Sequence, residues 1–331
     1  MSAAARDLLL ALSTEHARSG SDLAARGGIT RAAVWKQIEA LREAGVPIEA
    51  RAGRGYRLGA AIELLDGRRI AEWLPPRVLE RLGAVPVHWQ IDSTNSELLR
   101  RLADGGPPFE ACLAERQTRG RGRHGRAWQM PLAGGLALSL RWRFETGMAA
   151  LGGLSLAVGV ALVEALSAAG VRGAALKWPN DVVVDGRKLA GVLIELAGDA
   201  LGPCHAVVGV GINLRLGAGA AAAIDQPCTD MATLVGPGMP GRNAFAADVL
   251  GRLADALARF AEHGFPAFRA AYDAHDALHG RPVRVIAAAA ERNGVAAGVD
   301  AAGRLRVRGP GGVFVVDAGE VRVRADDAGI A

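Results

Sequence analysis

Long apolar runs are missing from this chain: no uninterrupted stretch approaches the ~18 residues that a bilayer-spanning helix needs. The opening MSAAARDLLLALSTEHARSG has an apolar patch, but charges interrupt it and its leucines space helically, so it is not expected to be a signal peptide. Cysteine is scarce and odd in number. Cys112, Cys204 and Cys228 lie far apart with no CxxC pair, which excludes a disulfide framework or a cysteine metal site and leaves free thiols. A cytoplasmic protein that does not touch the membrane is therefore expected. Charge of one sign is also lacking: the net +5 permits an anionic partner without demanding one. Lysine is rarest among the cations, with only Lys36, Lys177 and Lys188 among 39 Lys and Arg, which marks each as a position where a compact ammonium could matter.

Half of the residues are hydrophobic and 22% charged, a composition for core-burying domains rather than disorder. The 331 residues suffice for two or three domains at about 100–200 residues each. From Arg6 to Leu58 the pattern gives two helices with faces at Leu8, Leu9, Leu12 and Leu23. A third follows from Arg31 to Ala44, capped by Thr30, with Val34, Ile38 and Leu41 inward. VPIEARAGRGYRL then folds back on itself around Gly53-Arg54-Gly55. The order is that of a winged helix-turn-helix. Arg31, Ala32 and Lys36 on the third helix, with Arg54 on the wing beside Arg51 and Arg57, make a face suited to a DNA groove. A three-helix docking module with solvated charges is the alternative.

After a connector containing Pro75-Pro76, strands and helices alternate from about Val85 to Ala274. VPVHWQI, EACLAER, GLALSLRWRF, VVVDG, GVLIEL and CHAVVGVGINL read as strands, and several lie close enough in sequence to pair antiparallel. From His275 onward RPVRVIAA, RNGVAAGVD, GRLRVRG, GVFVVDAG and EVRVR suggest a small SH3-like barrel. The expected fold class is α+β.

Four clusters carry chemistry. Asp92-Ser93-Thr94-Asn95 sits between a strand and a helix; it offers donors and acceptors to a small polar group, or simply caps the helix. Residues 115–126, ERQTRGRGRHGR, place five arginines among glycines that let amides approach an anion, and the loop repels itself until one arrives. A nonspecific nucleic-acid loop is the plainer interpretation. Lys177-Trp178-Pro179-Asn180-Asp181 is expected to be a strand, turning at Asp185-Gly186 towards Arg187-Lys188-Leu189-Ala190-Gly191 and so gathering Asn180, Asp181 and Lys188. In Gly209-Val210-Gly211-Ile212-Asn213 two glycines would admit a ligand at a strand end.

In order, STN, QxxGRGRxGRxW, KWPND, RKLAG and GxGIN resemble the biotin protein ligases, particularly the bifunctional kind that is also the biotin operon repressor, over essentially the whole chain. The resemblance implies a winged helix-turn-helix over 1–60, a central mixed α/β ligase domain over 61–274 and an SH3-like domain over 275–331. It implies that Ser93, Thr94, Asn95 and Gln117 contact biotin, and that Gly120, Arg121, Gly122 and Arg123 close over biotin and its adenylate. Gly191, Gly209 and Gly211 would line the pocket. Lys188, with Arg121 and Arg123, would be catalytic, and Asn180, Asp181 and Asn213 would face phosphate, Asp181 towards Mg²⁺. The implied partners are biotin, ATP with Mg²⁺, a biotin carboxyl carrier protein, operator DNA and a second copy of the chain once the adenylate is bound. With the cysteines outside the clusters, no covalent enzyme intermediate is expected. Segment 214–233 would cover the adenylate, with Met231 in place of an aromatic ring. Competing possibilities are a lipoate ligase or acyl transferase, and a ligand-sensing regulator with an inactive ligase body.

Overall fold

The computed structural model describes residues 2–51, 53–286, 291–318 and 322–325. Helices α1 (Ala3–Ala11), α2 (Gly20–Gly27) and α3 (Arg31–Glu43) precede an antiparallel pair, β1 (Ile48–Arg51) and β2 (Gly55–Leu58). Each helix starts where a hydroxyl oxygen accepts from an otherwise orphan amide: Ser2 from Ala5, Ser19 from Asp22 and Thr30 from Ala33. Along α3 the 3.6-residue period buries Val34, Ile38 and Leu41 and leaves Arg31, Ala32, Trp35 and Lys36 exposed. The head's core contains one residue from the body, Leu132, whose amide donates to the Ala44 carbonyl just past α3.

The body continues with α4 (Gly67–Trp73), α5 (Pro76–Leu82), β3 (Val87–His88), α6 (Thr94–Ala103), β4 (Glu110–Ala114), β5 (Gly135–Phe144) and α7 (Leu154–Ala168). Then come β6 (Ala175–Lys177), β7 (Asp181–Val184), β8 (Arg187–Gly198), β9 (Cys204–Asn213), α8 (Gly217–Ala222), α9 (Met231–Val235), α10 (Arg242–His263) and α11 (Arg269–His275). One seven-stranded sheet runs β3-β4-β5-β9-β8-β7-β6, with β3 parallel to β4 and every other neighbour antiparallel. α7 is apolar on nearly every side because it is covered all round, by α10 among others.

Three expectations need correction. VPVHWQI is a strand only at Val87–His88, with Ile91 forming an isolated bridge to Gln117. Of Lys177-Trp178-Pro179-Asn180-Asp181 only the ends are strand, Lys177 closing β6 and Asp181 opening β7, while Trp178, Pro179 and Asn180 are the turn between them; Pro179 has no amide to donate to a ladder, and the Trp178–Pro179 bond is cis. The Ala/Gly-rich stretch 217–223, whose composition suggests a flexible loop, forms α8 over Gly217–Ala222.

Beyond α11, β10 (Pro282–Ile286), β11 (Glu291–Val299), β12 (Leu305–Gly309), β13 (Gly312–Val316) and β14 (Arg322–Ala325) form an antiparallel sheet ordered β13-β12-β11-β10-β14. Positions 287–288 and 319–321 of the expected strands lie outside the described residues. Val283, Val285, Val299, Leu305 and Val307 pack into the same core as the large sheet, and the Trp178 indole donates to the Gly303 carbonyl at 3.0 Å.

Candidate active site

α6 begins over the central strands of the large sheet, where Ser93 caps it, accepting from the Ser96 amide. That start places Thr94 and Asn95 in the first turn, both buried at 3% exposure, facing β5 and β9. Such buried polar groups persist only when paired. The Thr94 amide and hydroxyl donate to Gln117 Oε1 at 2.8 and 3.1 Å. Asn95 Nδ2 donates to Glu195 at 2.8 Å, and the buried Ser139 hydroxyl lies 2.6 Å from Asn95 Oδ1 and 2.7 Å from Thr94 Oγ1. Gly209 leaves room for this arrangement: a Cβ there would stand 2.3 Å from Asn95 Oδ1.

Next to this polar wall opens a cavity of about 1130 Å³. Ser93, Thr94, Asn95, Gln117, Arg121, Gly122, Arg123, Asn180, Asp181, Lys188, Gly191, Gly209, Gly211 and Asn213 all border it. Of the residues expected to contact ligand, only Gly120 stands back, packed against the Trp128 carbonyl and Gln117. Lys188 Nζ lies 2.6 Å from Asp181 Oδ1 and 5.6 Å from the centre of the Trp128 ring. Gly191 passes close beneath, where a Cβ would come 3.1 Å from that ammonium. Asn213 Nδ2 donates to the Thr229 carbonyl at 3.1 Å, while its buried Oδ1 accepts from no protein group among the described residues.

The arginine loop folds back on itself: the Gly122 amide donates to the Arg126 carbonyl and the Trp128 amide to the Gly120 carbonyl. His124, at φ 55°, makes its turn. Part of the loop's self-repulsion is relieved within the chain. Arg121 Nη2 donates to both Glu195 oxygens at 3.0 Å, and Arg123 donates to the Ala318 carbonyl just past β13. Burial pushes the Arg123 guanidinium below its usual value against the opposing pull of Asp181, though arginine stays protonated in proteins.

Two details of the sequence-based picture change. Cys228 does border the cavity, bridged by backbone to Lys188, so one thiol lies inside the cluster. Burial raises its thiol pKa, making it a poor nucleophile. Met231 is fully buried in the main core and does not reach the cavity; from its segment Ile224, Asp225 and Gln226 do. The half-buried Trp128, whose indole N–H is buried without a protein partner among the described residues, supplies aromatic surface there instead. Ser139, Glu195, Trp128 and Arg281 were missed as site residues. Ser139 left one signal, a lone hydroxyl within the apolar first half of β5, whereas Glu195 and Arg281 reach the site only through β8 and the C-terminal sheet. Arg31, Ala32, Lys36 and Arg54 lie exposed on the head, well removed in sequence from this cavity.

Comparison with known proteins places two matches on these elements. Residues 89–213 match the biotin/lipoate A/B protein ligase family, and residues 5–57 match a helix-turn-helix domain. The chain is 37% identical to the bifunctional ligase/repressor BirA of Salmonella typhimurium over 93% of each protein. It is 39% identical to the biotin–[acetyl-CoA-carboxylase] ligase of Paracoccus denitrificans, over 70% of this chain and 96% of that protein. The fold is similar to that of a biotin protein ligase from Aquifex aeolicus solved with biotin and ATP, at TM-score 0.63 and 28% identity, covering 73% of this chain and 99% of that one.

Proposed function

The chain belongs to the bifunctional ligase/repressor family of biotin protein ligases, and we propose that it joins biotin to AMP and then to a lysine of a biotin carboxyl carrier protein. It is an ATP-dependent biotin ligase with a DNA-binding head. The observation that carries the site assignment is the convergence of Thr94, Asn95, Gln117, Lys188 and the arginine loop on one cavity.

In the first half-reaction a biotin carboxylate oxygen bonds to the α-phosphorus of ATP as the bond to the β-phosphate bridging oxygen breaks, releasing pyrophosphate. Thr94, Asn95 and Gln117 hold the biotin end by hydrogen bonds, with Ser93 fixing the helix start beneath them. Lys188 leaves Asp181 in part to meet the charge gathering at phosphorus, and Arg121 and Arg123 add forked donors. Gly191, Gly209 and Gly211 keep the wall thin enough for the ligand's approach, and Gly120 with Gly122 lets the loop fold over it. A closed loop excludes water from a hydrolysable mixed anhydride. In the second half-reaction the carrier lysine's amine attacks the acyl carbon and AMP leaves with its phosphate oxygen; the amine loses its proton. Cys228 takes no part.

Among the described residues no group of three His, Cys, Asp or Glu is placed to cage a metal. The donor set therefore suits Mg²⁺ brought on the nucleotide's phosphates, with Asp181 as its protein carboxylate and Asn180 and Asn213 on the phosphate side. Bound there, the ion would neutralise phosphate charge.

We further infer divisions at 1–60, 61–274 and 275–331, the last an SH3-like barrel, and a cytoplasmic protein that dimerises on operator DNA when its adenylate is bound. No described helix is long and apolar enough to cross a membrane.

The test is biotin-dependent exchange of pyrophosphate into ATP, with lipoate as the control acid. Exchange with biotin alone is expected, and Lys188→Ala should lower it by about a hundredfold or more, the scale for removing one charge-stabilising donor. Equal rates in both proteins would remove Lys188 from this role; exchange with lipoate alone would overturn the substrate.

A further inference from the structure

Trp35 contradicts the economy of a soluble helix. Its indole is 60% exposed, although aromatic residues make up only 5% of the chain and most tryptophans here are buried or half-buried. It stands in the second turn of α3, one turn beyond Arg31 and adjoining Ala32, on the exposed flank of the helix roughly a quarter turn round from the buried Val34, Ile38 and Leu41. Lys36 flanks the same face. The acid on that face, Glu39, is already engaged by Arg42 at 2.7 Å, so the charge offered outward by the first two turns is positive. Arg51 and Arg54 of the wing are exposed, and Arg57 is paired to Glu49 at 2.7 Å.

A cationic rim around one apolar plate has a defined complement. Phosphates satisfy the rim, and the major groove of DNA offers a single apolar group at base level, the C5-methyl of thymine. We propose that Trp35 is a specificity-determining residue of the head and reads thymine methyls in the major groove. Ala32, one turn back, keeps the helix surface low enough for the ring to lie flat against the groove floor. Arg31 and Lys36 engage the phosphates on either side and fix the register without reading sequence. This assignment rests on the proposed operator binding and deepens it by naming the chemical group that is read.

The experiment uses the full chain with biotin and MgATP. Preferred duplexes are selected from a random DNA library, and each thymine of the selected site is then replaced singly by uracil, which deletes only the methyl. For the parent, one or more replacements per half-site should weaken binding about fourfold each, the scale for one buried methyl. Trp35→Ala should bind the thymine and uracil duplexes equally, whereas Trp35→Phe should retain part of the discrimination; matching thermal melts of parent and variants establish folding. Failure to enrich any duplex would overturn operator binding itself, and this proposal with it. Enrichment without a uracil effect, or the same effect in Trp35→Ala, would overturn the role of Trp35 alone. So would a change in oligomeric state of Trp35→Ala without DNA, which would assign the ring to a second copy of the chain.

Discussion

Gly211 has little room to change. A Cβ there would stand 2.4 Å from Trp128 Cε2, and a β9 backbone paired on both sides cannot yield freely, so the half-buried indole must move. Gly211→Ala should therefore displace Trp128 and raise the KM for biotin or ATP by about 5- to 150-fold, from ~1–3 kcal/mol of overpacking, with the fold retained; initial-rate kinetics with circular dichroism check it. Asp92 permits a pH test. The Arg100 guanidinium, 2.8 and 2.9 Å from its oxygens, holds the carboxyl at about 2 instead of an ordinary 3.8. Because the folded value is the lower, the pair's stabilisation is present above about pH 4 and lost as the pH falls towards 2. Arg100 is half exposed, which limits the stabilisation to ~0–1 kcal/mol. In Arg100→Ala the Asp92 carboxyl should titrate closer to 3.8 by NMR, and the stability difference from the parent should vanish near pH 2.

The decisive elements are those that join parts remote in sequence. The segment from Trp128 to Leu132 touches the cavity at one end and the DNA-binding head at the other, where Pro131 packs on Gly45 and Leu132 enters the head's core. Gly45, at φ 93°, accommodates Pro131 because it has no Cβ. Leu132→Ala should open a cavity in the head and cost ~2–5 kcal/mol, the span for buried leucine truncations. The loss should appear as earlier melting of the head, followed by amide exchange in α1 to α3, while the large sheet keeps its protection. Uniform loss across both would mean that head and body melt as one unit.

Over the whole molecule one buried ion pair ties connector, sheet and long helix together. Glu115 and Arg242 meet at 2.9 Å, 3% and 7% exposed by side chain, and Glu115 also accepts from the Leu65 amide. Asn243 holds the connector's other side, accepting from the Asp66 amide and donating to Glu63 and the Leu64 carbonyl. The sequence suggested that Glu115 belonged to the anion-binding loop; instead it anchors the path from head to body. Glu115→Ala would strand a buried guanidinium and should cost ~3–5 kcal/mol in a denaturant titration, well beyond any surface pair. The C-terminal sheet is likewise held to the site from several sides, since Trp178 reaches Gly303 and Arg123 reaches Ala318.

By itself the sequence determined the local chemistry: Thr30 and Ser93 as caps, the Val34-Ile38-Leu41 stripe, the antiparallel strands, and the five motifs whose order marks the family. Those features depend on neighbours a few residues apart, so composition and period reveal them. Only the tertiary structure decided that Ser139 and Glu195 complete the polar wall, that Met231 turns inward while Cys228 faces the cavity, and that Leu132 belongs to the head. Each of those depends on a partner brought close by packing from far along the chain, a distance no periodicity encodes.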